Sequence, residues 1–270
     1  MNMQDLETRG LVLLGCGKMG SAMLAGWLAQ GLPAASVWVL DPKPSAWLQG
    51  LDGLNLNAAL PVDPAIVLIA VKPQMMGAAL PSLQALGNGS TTFVSVAAGT
   101  PISKFEDILG RNTPIIRAMP NTPAAISQGI TAMIGNRHVA APALDLCEML
   151  LSAVGQVVRL KSESQMDAVT AVSGSGPAYV FLMIEAMAAA GVKQGLSRDL
   201  AMQLAKATVA GAGALALVAD EEPDQLRVNV TSPGGTTAAA LEVLNDQNGL
   251  PDLMRAAVRA AAERSKALGA

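Results

Sequence analysis

One histidine, two cysteines, three tryptophans, three phenylalanines and a single tyrosine are all that 270 residues offer of those types. The histidine, His138, lies in "GNRHVAAP" with no adjoining candidate partner and reads as part of a surface turn. Metal centres built on histidine and cysteine, and nucleophiles activated by a histidine base, therefore lack their parts. Cys16 and Cys147 are too few for a disulfide framework, and the N-terminus shows no charged start followed by an apolar run and a cleavage site. The expectation is a reduced, cytoplasmic protein. Charge is scarce as well: 14% of residues are charged, the net charge is -3, and no lysine and arginine cluster is interleaved with aromatics. That balance gives no extended positive field for nucleic acid. The longest weakly polar stretch, "ATVAGAGALALVA" at 207–219, falls short of the roughly 18 residues that suggest a membrane span. It reads as a buried helix, suited equally to a core or to a helical dimer interface, and no membrane association is expected.

What is present is apolar mass, 51% of the chain, enough to fill one large or two modest cores. The first half alternates helix-like segments with short apolar runs, "LVLLG" from 11, "VWVL" from 37, "IVLIAV" from 66, "FVSVAAG" from 93 and "PIIRAMP" from 114. Runs of that length, bounded by Gly, Pro and Asp, predict strands of a parallel sheet buried on both faces. From about Met166 the pattern becomes long Ala-, Leu- and Met-rich segments, at 177–191, 197–219, 236–246 and 250–268. The predicted fold is α/β, an N-terminal doubly wound parallel sheet over residues 1–164 followed by an all-helical domain over residues 165–270. The polar stretch "KSESQMD" marks the boundary.

Two glycine-rich segments stand out. In "LVLLGCGKMGSAMLAG", Gly15, Gly17 and Gly20 have G-x-G-x-x-G spacing between a strand and a helix. Gly15 suits a tight turn, Gly17 a close approach of backbone to a pyrophosphate, and Gly20 close packing of helix on strand. The second strand ends in "VLDPKPS", where Asp41 suits the ribose hydroxyls of NAD and Lys43 suits the 2′-phosphate of NADP. The two cues conflict, and an aspartate and proline that merely turn the chain remain an alternative. Lys72, before Pro73, sits at the carboxyl edge of the sheet, where open α/β folds bind ligands, although a lysine that ends a strand is more often just a solvated charge. Ala97 to Gly99 leave room at the next strand end. Near the other terminus, "RVNVTSPGGTTAAALEVL" places Gly234, Gly235, Thr236 and Thr237 at a helix start, a cradle for a small anion. An ordinary Ser or Thr cap is the alternative. Glu185, the lone charge in "AVSGSGPAYVFLMIEAM", reads as part of a wet helix face.

Six motifs in order, "GCGKMG", "AVKPQ", "SVAAG", "IIRAMPNTPA", "VSGSGPAYVF" and "SPGGTTAAALEVL", resemble the pyrroline-5-carboxylate reductase family over almost the whole chain. The resemblance implies a Rossmann-type domain, a helical C-terminal dimerisation domain, NADPH as cofactor with NADH also used, and a homodimer that in some members assembles into a decamer of five dimers. It implies that Leu14, Gly15, Cys16, Gly17, Lys18 and Met19 hold the pyrophosphate region and that Asn57 contacts the adenosine part. Ala70, Lys72 and Pro73 would line the cofactor, with Ala98 and Gly99 beside the nicotinamide. Ser232, Gly234, Gly235 and Thr236 would bind the substrate carboxylate, and the Thr237 hydroxyl would reach the ring nitrogen as the catalytic group. Asp41 departs from the family, many members of which carry Ser, Thr or Asn near this place. Two rival readings are a β-hydroxyacid-dehydrogenase-like oxidoreductase and a non-catalytic NADP-binding redox sensor. The first needs a lysine with an asparagine one turn later, whereas Lys193 is followed four residues on by Ser197.

Overall fold

The computed structural model describes residues 3–269. In chain order the strands are β1 Leu11–Leu14, β2 Val37–Leu40, β3 Asn55–Leu56, β4 Ile66–Ile69, β5 Thr92–Ser95, β6 Ile115–Met119, β7 Gly129–Gly135 and β8 Gly155–Arg159. The α-helices of the first half are α1 Met3–Arg9, α2 Lys18–Ala29, α3 Ala46–Gln49, α4 Met76–Ala79, α5 Ile102–Leu109 and α6 Ala141–Ser152. They continue with α7 Met166–Val169, α8 Gly176–Lys193, α9 Arg198–Val218, α10 Pro223–Asn229, α11 Thr236–Leu244 and α12 Leu250–Gly269.

The eight strands form one sheet in the order β3-β2-β1-β4-β5-β6-β7-β8. All five strands expected from the apolar runs are there, and each feeds two cores. Alternate side chains of a strand face opposite ways, so Leu11 and Leu13 of β1 join Trp27 and Leu150 on one face while Val12 and Leu14 join Leu83 and Phe105 on the other. β4 divides the same way, Ile66 and Leu68 against Val67 and Ile69. Both faces are covered, which is why these strands read as unbroken apolar runs. The sheet also contains β3, β7 and β8, which no run announced. β7 is antiparallel to β6, the one departure from a parallel sheet, while β8 returns parallel to β7.

By packing, the chain forms two compact units: one runs to Gly174 and takes back the chain from Ala262, and the other spans Ser175–Ala261. The first therefore extends beyond the polar stretch at 161–167. That stretch is itself tied to the first unit by Glu163, whose Oε1 accepts both the Ile102 N–H (2.9 Å) and Arg117 Nη1 (2.9 Å). The segment Thr170–Gly174 is a π-helical turn leading towards α8.

The second unit is helical and has almost no interior. Its small core consists of Ala188 of α8 and Ala201 and Ala205 of α9, with Ile184 and Met202 packed against them. Of the two readings of 207–219, a core helix or a dimer interface, the core one does not hold: within one chain the residues 210–218 are exposed, including Leu217 at 75% and Val218 at 80%. Composition marks such a face as apolar, but not what covers it. The thirteen-residue estimate for apolar length also falls. The helical stretch Glu163–Lys193 and α9 are each long and apolar enough to cross a membrane, with 18-residue windows of mean hydropathy 1.4. Such windows also arise in helices that pack on another copy of the chain. Glu185 is exposed, as expected.

Candidate functional site

The register of the central strands lines up Leu40, Leu14, Ile69 and Ser95 at one edge of the sheet. Residues that follow them in the chain, Asp41, Gly15, Ala70 and the Val96–Gly99 exit, emerge from the same edge. Strand order reverses between β1 and β4, and that is where open α/β sheets take their ligands.

At this edge the three glycines have three different surroundings. Gly15 has φ +87°, a conformation that disfavours a side chain, and a Cβ there would press on Val71 and on the Ala70 backbone. A Cβ on Gly20 would run into the Gly15 carbonyl oxygen, so this position sets how closely α2 returns to the strand. A Cβ on Gly17 would meet nothing within 4 Å. Gly17 is also the N-cap of α2, and no side chain caps that helix. The amide N–H groups of Lys18, Met19 and Gly20 are thus left without helical acceptors beside open space, which fits a pyrophosphate in a dinucleotide. Cys16 is buried between the first two glycines. Burial and, secondarily, the Asp41 carboxylate push its thiol up to about 11 from the usual 9.0. Burial alone pushes the Cys147 thiol up further still. Neither thiol is poised as a nucleophile.

Asp41 is tied into the loop. Its Oδ2 accepts the Cys16 N–H at 2.8 Å and its Oδ1 accepts the Lys43 N–H at 2.8 Å. Asn57, in a left-handed conformation at φ 50°, holds the Asp41 backbone from the other side. Its Oδ1 accepts the Asp41 N–H (2.9 Å) and its Nδ2 donates to the Asp41 carbonyl (2.9 Å), while its own N–H donates to Val39. The Asn57 side chain expected at the adenosine is therefore also a brace for Asp41, a link that no local pattern in the sequence signals.

Lys72 follows β4, exposed, with ψ 147° ahead of Pro73, the extended conformation that a following proline imposes. Ala70 donates its N–H to Leu14 at 2.8 Å, and Pro73 opens a short 3-10 turn at the same edge. Ala98 is half-buried and Gly99, at φ +73°, is buried beneath the last turn of α12. A Cβ on Gly99 would lie 2.9 Å from Leu268 Cβ. The buried Ser265 in that turn donates to Asp167 Oδ1 at 2.7 Å. This packing of the C-terminal turn on the β5 exit had no counterpart in the sequence reading; a serine inside an otherwise amphipathic final helix was its only trace.

In the second unit, Pro233, Gly234 and Gly235 make a turn closed by Gly235 N–H to the Ser232 carbonyl at 3.0 Å. Gly234 has φ +68°, a left-handed position, and a Cβ there would meet nothing within 4 Å. Here the alternative of a plain hydroxyl cap fails. The N-cap of α11 is Gly235, and neither Ser232 nor either threonine caps the helix. The N–H groups of Thr236, Thr237 and Ala238 point out of the helix end, where the dipole is positive. Ser232, Gly234 and Thr236 are exposed and Thr237 is half-buried. His138 lies in a turn, donating its N–H to Asn136 and accepting from Arg137 Nε at Nε2.

Comparisons with known proteins agree along the whole chain. A family model described as pyrroline-5-carboxylate reductase dimerisation matches residues 163–268, and one described as NADP oxidoreductase coenzyme F420-dependent matches residues 10–99. A pyrroline-5-carboxylate reductase of Pseudomonas aeruginosa is 41% identical, covering 97% of this chain and 98% of its own. The structure of a pyrroline-5-carboxylate reductase from Coxiella burnetii is similar at a TM-score of 0.91 and 33% identity, over 97% of this chain and 99% of that one. The Plasmodium falciparum pyrroline carboxylate reductase, solved with NADP bound, reaches 0.85 at 32% identity, over 98% of this chain and 99% of that one. The chain belongs to the pyrroline-5-carboxylate reductase family.

Proposed function

We propose that this chain reduces pyrroline-5-carboxylate to L-proline, the last step of proline biosynthesis, with NADPH as cofactor and NADH also accepted. The observation that carries the reading is a pair of uncapped helix starts, α2 behind Gly17 and α11 behind Gly235, each with open space where a side chain would stand at Gly17 and at Gly234. The reaction has two anions to hold, a pyrophosphate and a carboxylate, and the chain offers a cradle for each.

The α2 start, with Leu14, Gly15, Cys16, Gly17, Lys18 and Met19, takes the pyrophosphate. Asp41, Lys43 and Asn57 face the adenosine end, and Ala70, Lys72, Pro73, Ala98 and Gly99 border the rest of the cofactor. When bound, the reduced nicotinamide supplies the hydride. Ser232, Gly234, Gly235 and Thr236 fix the substrate carboxylate, and the Thr237 hydroxyl engages the ring nitrogen, favouring its protonated form. A protonated cyclic imine is already a good electrophile, so holding it in one orientation supplies most of what is needed. No histidine is called for, in keeping with the place of His138 in a turn. Residues 1–164 serve as the cofactor-binding domain and residues 165–270 as the substrate-binding and dimerisation domain.

The exposed apolar surface of the second unit supports a homodimer, and the reading places it in the cytoplasm. Most of its large apolar side chains, among them Phe181 at 57% exposure, lie outside its small core, and apolar surface of that extent is stabilised by association. Assembly of dimers into a decamer is a further step of the same kind. The β-hydroxyacid dehydrogenase alternative fares worse with the helices in view. Lys193 is the last residue of α8 and Ser197 is the N-cap of α9, so the two are not successive turns of one helix. A redox sensor would leave the α11 cradle without a ligand.

The test is to mix the protein with NADPH and pyrroline-5-carboxylate and follow the absorbance of the reduced nicotinamide. Imine-dependent oxidation is expected. No oxidation above background, with NADPH binding demonstrated separately, would contradict the reductase reading and favour the sensor.

A further inference from the structure

We propose that Asp41 is the residue that discriminates against the 2′-phosphate, so that this chain accepts NADH far more readily than a neutral side chain at the same place would allow. The inference rests on the reading above that the loop after β1 holds a nicotinamide dinucleotide.

Three observations carry it. Asp41 directly follows β2, where the adenosine ribose of a dinucleotide meets an open α/β sheet. Its carboxylate is fixed rather than free: Oδ2 is held by the Cys16 N–H of the pyrophosphate loop and Oδ1 by the Lys43 N–H. Its backbone is fixed too, by both ends of the Asn57 amide. Pro42, between Asp41 and Lys43, has no N–H to offer and limits how far the turn can rearrange. A carboxylate so placed remains an acceptor for ribose hydroxyls, since each oxygen has a second lone pair. A phosphomonoester in the same position brings a second anion against a charge that cannot swing away. Lys43 opposes it with a cation on a flexible, exposed stem, and a mobile exposed cation is screened more than a charge braced on both sides.

Two variants and one fragment comparison test the idea. Asp41→Ser removes the charge, and Asp41→Asn removes it while keeping side-chain length and one carbonyl acceptor. With pyrroline-5-carboxylate as substrate, both are expected to raise the ratio of kcat/KM for NADPH to that for NADH by about tenfold, equivalent to about 1.4 kcal/mol. A rise of less than about threefold in both variants would overturn the proposal, as would a rise in the serine variant alone, since steric relief would then account for it. Binding is read independently of turnover with adenosine 2′,5′-bisphosphate and AMP. The unaltered protein is expected to bind the bisphosphate no more than about threefold more tightly than AMP, and a larger preference would overturn the inference even if neither variant folded. Oxidation of neither cofactor by any of the three proteins would defeat the reductase reading instead, and the fragment comparison would still decide the role of Asp41.

Discussion

Gly17→Ala is expected to leave the fold intact and to weaken dinucleotide binding by about a hundredfold. The two halves of that outcome have separate causes. Gly17 has φ −72° and ψ −159°, values open to any residue, and its new methyl would meet nothing within 4 Å. Alanine is a poorer N-cap than glycine by about 1 kcal/mol or less, which for a chain of this size moves Tm by no more than about 4 °C. The open space is what a pyrophosphate must occupy. A methyl there costs the 1–3 kcal/mol typical of an overpacked contact, and the upper part of that range is about a hundredfold in affinity. Gly20→Ala makes the contrast. Alanine is the better helix former by about 1 kcal/mol, yet its Cβ would collide with the Gly15 carbonyl, and a backbone oxygen has no rotamer through which to yield. The clash wins, and both Tm and binding fall. Titration of each variant with NADPH, followed by nicotinamide fluorescence and paired with thermal melting, checks both. If Gly17→Ala bound NADPH as tightly as the unaltered protein, the α2 start would not be the pyrophosphate site.

Thr237→Ala is expected to lower kcat by about a hundredfold, the scale of losing one positioned proton-handling or hydrogen-bonding group, while the Kd for NADPH stays within about twofold. The variant should fold normally. Thr237 makes no side-chain hydrogen bond among the described residues, and no side chain caps α11, whose N-cap is Gly235. Thr237→Ser, which keeps the hydroxyl, should restore most of the lost turnover. A merely structural threonine would instead show in Tm and would not be rescued through kcat. Equal losses in kcat and in NADPH binding would remove Thr237 from its assigned role.

The parts of this fold legible in the sequence are those whose local pattern and final burial agree. "LVLL", "IVLI" and "VWVL" are apolar because each feeds two cores or borders one, and the runs that contain them, "LVLLG", "IVLIAV" and "VWVL", outrun the strands by two residues at most. β3 is only Asn55 and Leu56, and β8, "GQVVR", is half-exposed at the far edge of the sheet. Such strands take their identity from their hydrogen-bonding neighbours, which leave no mark on composition. α9 shows the converse. Its alanines, glycines and leucines were visible, but two of them alone settle into a core, and composition does not tell an apolar face that is covered within the chain from one that is not.

The site divides in the same manner. The glycine spacing gave each glycine a role that the surroundings of Gly15, Gly17 and Gly20 match, because the requirement is local: a turn, an opening and a close approach. The bonds from Asp41 to Cys16 and from Asn57 to Asp41 span 25 and 16 residues. They depend on strand order, which no short pattern encodes. The last turn of α12 over Gly99 is equally remote in sequence and was equally silent.

The most direct measurement of the central claim is a crystal structure of the protein with NADP⁺ and L-proline. The account predicts the proline carboxylate about 2.7–3.2 Å from backbone N–H groups of residues 235–237. A proline carboxylate held by any other group, with the N–H groups that open α11 facing only water, would contradict it.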